Sequence, residues 1–402
     1  MAKIATKIAP VDEDLMGIIT RHSLALSEQL QDHHLATFPP DATKTIRVFQ
    51  PAEAAKLLGI KEVYLRRLSN EVQGLQLTTG SGGRRSYSVE DLAHIRRHLD
   101  EVGRGSRRYL PHRRDDEKLQ VISVMNFKGG SGKTTTAAHL AQYLSLRGYR
   151  VLAIDLDPQA SLSTLFGVQP ETLASGESLY GAIRYADPRP MGEIISGTYI
   201  PDLHLIPGNL ELMEFEHETP AALMKRKPGD TMFFGRIGEV LEQVAHAYDV
   251  VVIDCPPQLG YLTLSALTAA TSVLITVHPQ MLDVMSMNQF LAMMADLLRE
   301  IKAAGADFTY KWMRYLVTRF EPSDSPQNQM VGYLRAIFGE NVMNFPMLKT
   351  TAVSDAGLTN QTLYEVERSQ FTRATYDRAL ESMNSVNDEI EALIKKAWGR
   401  AA

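Results

Sequence analysis

Val121-Ile122-Ser123-Val124-Met125-Asn126-Phe127-Lys128-Gly129-Gly130-Ser131-Gly132-Lys133-Thr134-Thr135 is the stretch that decides the fold. A short apolar run ends in a glycine-rich loop, and a helical stretch then runs to about Arg147. Strand, loop and helix in that order is the context in which such a loop holds phosphate. The glycines let the backbone curl so that its N–H groups point inward at phosphate oxygens. The positive end of the following helix adds to the attraction. Lys133 is expected to reach the β- and γ-phosphates of a nucleoside triphosphate, and Thr134 to place its hydroxyl on Mg²⁺. Gly129, Gly130, Ser131, Gly132 and Thr135 complete the expected cradle.

Outward from this loop the texture stays the same. Apolar runs at 151–154, 250–253, 273–277 and 315–317, with a last one at 342–345, alternate with helical segments. That alternation predicts βαβ units and a parallel sheet covered on both faces. Two carboxylate segments follow strands: Asp155-Leu156-Asp157-Pro158-Gln159 and Asp254-Cys255-Pro256-Pro257. Mg²⁺ takes oxygen ligands and keeps several waters, so one or two carboxylates suffice. Cys255 has no matching His and reads as a small buried hydrophobe. Residues 373–398 read as one long surface helix.

The loop departs from the strict pattern. Phe127 stands where a first glycine is usual, and a second lysine, Lys128, opens the loop. This resembles the deviant Walker A loop of the ParA, MinD and nitrogenase iron-protein group, over roughly residues 120–357. The resemblance implies an α/β P-loop NTPase fold that binds ATP and Mg²⁺. It implies that Lys128 contacts the nucleotide of a second subunit. It places Asp157 near Mg²⁺ and the attacking water, with Asp155 beside it, and makes Asp254 the aspartate that ends the Walker B strand. The implied catalytic set is Lys128, Lys133 and Asp157, and the implied metal set Thr134, Asp157 and Asp254. Adenine recognition is implied around Thr318, Arg319, Pro346 and Met347, and His278 is read as structural.

About 120 residues precede the loop. Residues 11–35 read as a helix with Leu15, Ile19, Leu26 and Leu30 on one stripe. That stripe either packs on its own domain or pairs with the same helix of a second subunit. Residues 46–100 read as helix, Gly59 turn, helix, glycine-rich hairpin tip at 78–85, and a third helix opened by a capping box at Ser88-Val89-Glu90-Asp91. This order predicts a winged helix-turn-helix, with a small helical adaptor as the other reading. The strings Phe49-Gln50-Pro51-Ala52-Glu53-Ala54-Ala55, Leu65-Arg66-Arg67-Leu68 and Arg84-Arg85-Ser86-Tyr87 resemble MerR-like DNA-binding heads. Lys61, Tyr64, Arg66 and Arg67 would face the major groove, with Arg84 and Arg85 on the wing. Residues 101–118 read as a basic linker whose Arg104, Arg107, Arg108, Arg113 and Arg114 would meet phosphates. The expected domains are 1–40, 41–114 and 115–402, a layout that resembles the longer ParA proteins of plasmids.

The 402 residues carry a net charge of −5, with 44% hydrophobic and 22% charged residues. That is globular composition with room for a sizeable core. The segment from Arg84 to Arg114 holds nine arginines against four acids, so the whole-chain charge argues little against nucleic acid. A single cysteine excludes an iron–sulfur cluster and fits a reducing compartment. No apolar run reaches the length of a membrane span. The resemblance implies a cytoplasmic, nucleoid-associated partition ATPase. It would act as a homodimer on DNA, both at an operator and without sequence preference, with a ParB-type partner and no membrane. Two alternatives stand beside it. One is a nucleotide-responsive transcriptional regulator. The other is a MinD-like positioning ATPase whose stripe Ile390, Leu393, Ile394 and Ala397 would lie on lipid.

Overall fold

The computed structural model describes residues 14–37, 44–79, 85–103 and 107–400. Residues up to Lys44 form one unit and Thr45–Ala402 a second, compact one. The first unit holds helix α1 (Leu15–Thr37), which begins and ends a few residues later than the stripe predicts. Asp14 opens it by accepting the Gly17 N–H at 2.7 Å. Leu15, Ile19 and Leu26 are exposed, and the Leu30 side chain lies outside the described residues.

The second unit opens with α2 (Pro51–Leu58) and α3 (Glu62–Glu71), separated by Gly59 in the left-handed conformation (φ 67°) that a tight turn requires. Strands β1 (Thr78–Thr79) and β2 (Arg85–Ser86) pair antiparallel. Helix α4 (Val89–Val102) starts at the predicted capping box: Ser88 accepts from the Asp91 N–H, and Asp91 accepts from the Ser88 N–H. Helix, turn, helix, hairpin and helix thus occur in the expected order.

The remaining elements are β3 (Gln120–Met125), α5 (Lys133–Leu146), β4 (Val151–Asp155), α6 (Ser161–Leu165), α7 (Leu179–Ile183), α8 (Met191–Ile194), β5 (Ser196–Gly197) and β6 (Leu203–Ile206). Then come α9 (Leu212–Lys225), α10 (Arg236–Val244), β7 (Val250–Asp254), α11 (Tyr261–Ala269), β8 (Ser272–Val277), α12 (Met281–Ala303), β9 (Trp312–Val317), α13 (Ser325–Phe338), α14 (Thr351–Leu358) and α15 (Arg373–Ala397). The sheet order is β5-β6-β4-β7-β3-β8-β9, all parallel except the short edge strand β5. The expected strand at 342–345 does not form. Val342 makes one isolated bridge to Tyr315 and Leu348 another to Phe320, so the segment runs beside β9 without forming a continuous strand. Strands β5 and β6 carry little strand signal in the sequence, because Leu203-His204-Leu205-Ile206 is short and broken by a histidine.

The central strands are buried on both faces, and their alternation splits the core in two. Val250 and Val252 point into one layer, Val251 and Ile253 into the other. The first layer lies under α5 and α15 and runs without a break into Phe49, Leu65, Leu92 and Ile95 of the helical head. Ile390 and Ile394 are fully buried in that layer, so the α15 stripe packs on protein and does not offer a lipid-facing surface. Among the described residues no helix is long and apolar enough to cross a membrane.

Candidate nucleotide site

The parallel register brings the chemistry to one edge of the sheet. β7 lies between β3 and β4, and Asp254 pairs in register with both Val124 and Asp155. The loop after β3 therefore sits directly over the two aspartates, at the strand ends where open α/β sheets bind ligands.

Loop shape is set by Gly130 (φ 74°) and Gly132 (φ 85°), left-handed positions that a side chain would strain. Asn126 anchors its start, donating to the Thr276 carbonyl at 2.6 Å and accepting from the Lys128 N–H at 3.1 Å. Phe127, in the place of the usual glycine, stacks on Phe290 of α12 with centroids 5.4 Å apart, so it serves the core. Thr276 donates to the Ser131 hydroxyl at 3.0 Å, and Thr318 to the Ser131 carbonyl at 2.7 Å. Arg319, itself left-handed at φ 52°, donates to the Gly130 carbonyl at 3.1 Å. The structure thus places Thr318 and Arg319 against the loop backbone. Met347 is buried, and its N–H donates to the Val317 carbonyl.

Lys133 is buried and donates to the Lys128 carbonyl at 3.2 Å. Burial lowers its pKa, and Asp254 and Asp157 hold it up. Lys128 behaves differently. Its ammonium is partly exposed and pairs with Asp283 of α12 at 2.7 Å, and His278 lies 3.7 Å from the other Asp283 oxygen.

Asp155 is fully buried, and its Oδ2 accepts from both the N–H and the hydroxyl of Ser163 at 2.7 Å. Burial pushes its pKa up to about 7, against these hydrogen bonds. Asp254 is pushed well above the ordinary carboxylate range, first by burial and then by the neighbouring Asp155 charge. Neither Asp254 oxygen has a hydrogen-bond partner, although the Thr134 hydroxyl is near enough to ease its charge. A buried, unsatisfied carboxylate costs several kcal/mol in order of magnitude unless it is protonated or paired. A divalent cation with its waters would satisfy it, so these residues fit Mg²⁺. Asp157 is half-buried, accepts from the Gln159 N–H at 2.9 Å, and faces the same space. Ala160, left-handed at φ 54°, turns the chain sharply after it.

Two positions escaped the sequence reading. Gly208 follows β6 and donates to the Ser163 hydroxyl at 2.9 Å, and a Cβ there would lie 2.9 Å from the Asp155 carbonyl oxygen. Ser163 and Gly208 together hold Asp155 in place. No local motif marks either, because they meet only through the fold. Cys255 is buried with its thiol pKa pushed up, which removes it as a nucleophile at neutral pH.

The head residues are placed on their predicted elements. Val63 and Tyr64 are exposed on α3, and Arg66 and Arg67 pair with Glu62 and Glu71 one turn away, at 2.6 Å each. Lys61 is the N-cap of α3. Arg85 reaches back from the hairpin to Asn70 at 2.8 Å. Arg84 and Arg104 lie outside the described residues. Arg113 departs from the linker expectation. It donates to the carbonyls of Tyr248, Glu117 and Ala245 and so is spent on the body.

Comparisons with known proteins agree with this geometry. A family model described as AAA domain matches residues 119–304. The chain is 72% identical over 402 residues to a replication protein A of Rhizobium rhizogenes, covering all of both chains. It is 29% identical over 369 residues to protein SopA of Escherichia coli, covering 89% of this chain and 92% of that one. A solved partition protein superposes with TM-score 0.65 at 18% identity, covering 94% of this chain and 98% of its own, which speaks for the fold alone. Full-length identity, phosphate loop and paired strand-end aspartates converge: the chain belongs to the ParA family of partition ATPases, in its RepA type.

Proposed function

We propose that this chain hydrolyses ATP with Mg²⁺ to partition DNA, closing as a homodimer in which Lys128 reaches the nucleotide of the second subunit. Lys133 and the loop N–H groups hold the phosphates. Thr134, Asp157 and Asp254 hold Mg²⁺, which neutralises charge developing on the transferred phosphoryl group. Asp157 orients the attacking water. Arg319 at the loop is occupied by the Gly130 carbonyl, so slow intrinsic turnover is expected, stimulated by a ParB-type partner. The closed dimer binds DNA without sequence preference. The head represses its own operon through Lys61, Tyr64, Arg66, Arg67, Arg84 and Arg85. The arginine pairs on α3 are exposed and screened by solvent, so exchange onto bases costs little.

The observation that carries this reading is the contrast between the two loop lysines. Lys133 is buried over the unsatisfied Asp254, whereas Lys128 points out of the loop onto the single carboxylate Asp283. An ordinary phosphate loop needs only the first. The test is Lys128→Ala in the full chain, because the continuous core makes a truncated ATPase part unsuitable. The variant should bind fluorescent ATP within a few-fold of wild type. It should lose ATP-dependent DNA binding and the ATP-dependent change in sedimentation. Equal behaviour of variant and wild type in both assays would remove the reading.

A further inference from the structure

A second basic site lies away from the nucleotide loop, where the helical head, the linker and the body meet. A cavity of about 370 Å³ opens there. Its walls are the end of α2 at Leu57–Gly59, linker residues within 107–114, the end of α5 and the tail of α15. Seven cationic side chains line it against one carboxylate, Glu391.

Most of these cations have structural partners. Arg96, fully buried, donates to the carbonyls of Tyr109 at 3.1 Å and Leu146 at 2.8 Å, and also to Leu57. It thereby joins linker, P-loop helix and head with one guanidinium. Arg147 and Lys395 share Glu391 at 3.2 and 3.0 Å. Arg400 bonds Glu117 and the carbonyls of Pro111 and His112. Arg107 donates to the Arg113 carbonyl at 3.2 Å. Arg108 and Arg114 are left. Both are exposed at the mouth, and among the described residues neither guanidinium is in a side-chain hydrogen bond or a close ion pair, although the Arg114 charge acts on the nearby Glu117. Arg108 lies against the Tyr109 ring at 5.4 Å.

Like charges crowded in a half-enclosed, low-dielectric notch repel. Arg96 registers this: burial, then the Arg147 charge, lowers its pKa to about 9. An anion would relieve that repulsion. Planar guanidiniums with open N–H forks match phosphate oxygens in bidentate geometry. The polar, open-mouthed cavity is suited to a phosphate ester and offers little to an apolar ligand.

We infer that this notch binds a phosphate group and clamps head to body, with Arg108 and Arg114 as its open ligands. The notch opens beside the turn between α2 and α3, so the favoured source is the DNA backbone next to the head. That source rests on the DNA-binding reading above, whereas the phosphate chemistry does not.

The test uses the full chain with Arg108→Gln and Arg114→Gln together. These side chains make no structural hydrogen bond in the described chain, so folding and basal ATPase should be unchanged. In one arm, nonspecific DNA binding with ATP and Mg²⁺ is measured across salt. Losing two phosphate contacts should flatten the slope of log K against log salt by about 1.8. In the other arm, both substitutions are added to Lys133→Ala, which removes the P-loop as a competing site, and thermal midpoints are read with millimolar pyrophosphate. Pyrophosphate should raise the midpoint of Lys133→Ala, and the double substitution should abolish that rise. Both effects together support the site with DNA as its source. Loss of the pyrophosphate effect with an unchanged salt slope supports the site with a free phosphate ester as its source. An unchanged slope and no pyrophosphate effect overturn the proposal. If the wild-type chain binds no DNA at all, the DNA-binding reading fails and the pyrophosphate arm alone decides the notch.

Discussion

Acid should undock the phosphate-loop helix, and His139 sets the pH. This side chain is fully buried on α5, one turn beyond Thr135. Its Nε2 accepts from the Leu363 N–H at 3.1 Å, so its Nδ1 must carry the proton that it donates to the Thr135 carbonyl at 2.7 Å. Both ring nitrogens are thereby used by the neutral form. Burial lowers the pKa to about 4 from an ordinary 6.5. A group with a depressed folded pKa that is neutral when folded contributes its full stability above the unfolded value. That contribution is lost as pH falls from about 6.5 towards 4. A shift of this size corresponds to about 3 kcal/mol at 1.36 kcal/mol per unit. Below pH 5 the fold should therefore weaken at the joint between α5 and the segment around Leu363, and ATP affinity should fall with it. The assay is urea unfolding of wild type and His139→Asn from pH 7.5 to pH 4. The variant should be less stable at pH 7.5. The gap between the two should shrink by about 3 kcal/mol on acidification, because other titrating groups cancel in the difference. A gap that stays constant across that range would refute the reasoning.

Three further outcomes are expected at the nucleotide site. Asp157→Ala should keep ATP binding and lose hydrolysis, read by single-turnover phosphate release; full turnover would move the water-orienting role to Asp155. Asp254→Asn should raise the thermal midpoint of the nucleotide-free chain, because it removes an ionisable group held buried without a hydrogen-bond partner, while cutting Mg²⁺-dependent ATP affinity at least tenfold. A lower midpoint with unchanged affinity would contradict it. Gly208→Ala should destabilise by about 1–3 kcal/mol and slow hydrolysis, since the added methyl would meet the Asp155 backbone at 2.9 Å; wild-type values in both calorimetry and turnover would mean that the contact relaxes freely.

The sequence by itself determined the phosphate loop and the class of sheet around it, because both are local. A glycine-rich loop between an apolar run and a helix admits few conformations, and continuous apolar strands must be covered on both faces. The capping box at Ser88 and the Gly59 turn were legible for the same reason: each is closed by residues within a few positions. The tertiary structure decided what those residues meet. Asp155 and Asp254 are 99 positions apart, and only the parallel pairing of β4 with β7 sets them side by side. Ser163 and Gly208 hold Asp155 through contacts made after the chain has crossed the sheet. Phe127 read as a departure from a motif, and packing on Phe290 made it a core residue. Arg113 read as one more cation of a basic linker, until the carbonyls of Tyr248 and Ala245 absorbed it. The α15 stripe could lie on lipid or on protein by spacing, with Glu389 and Glu391 already speaking against lipid, and burial of Ile390 and Ile394 places it on protein. A charge or an apolar stripe is visible in one dimension; the partner that neutralises or covers it arrives from distant chain, and its arrival depends on the fold.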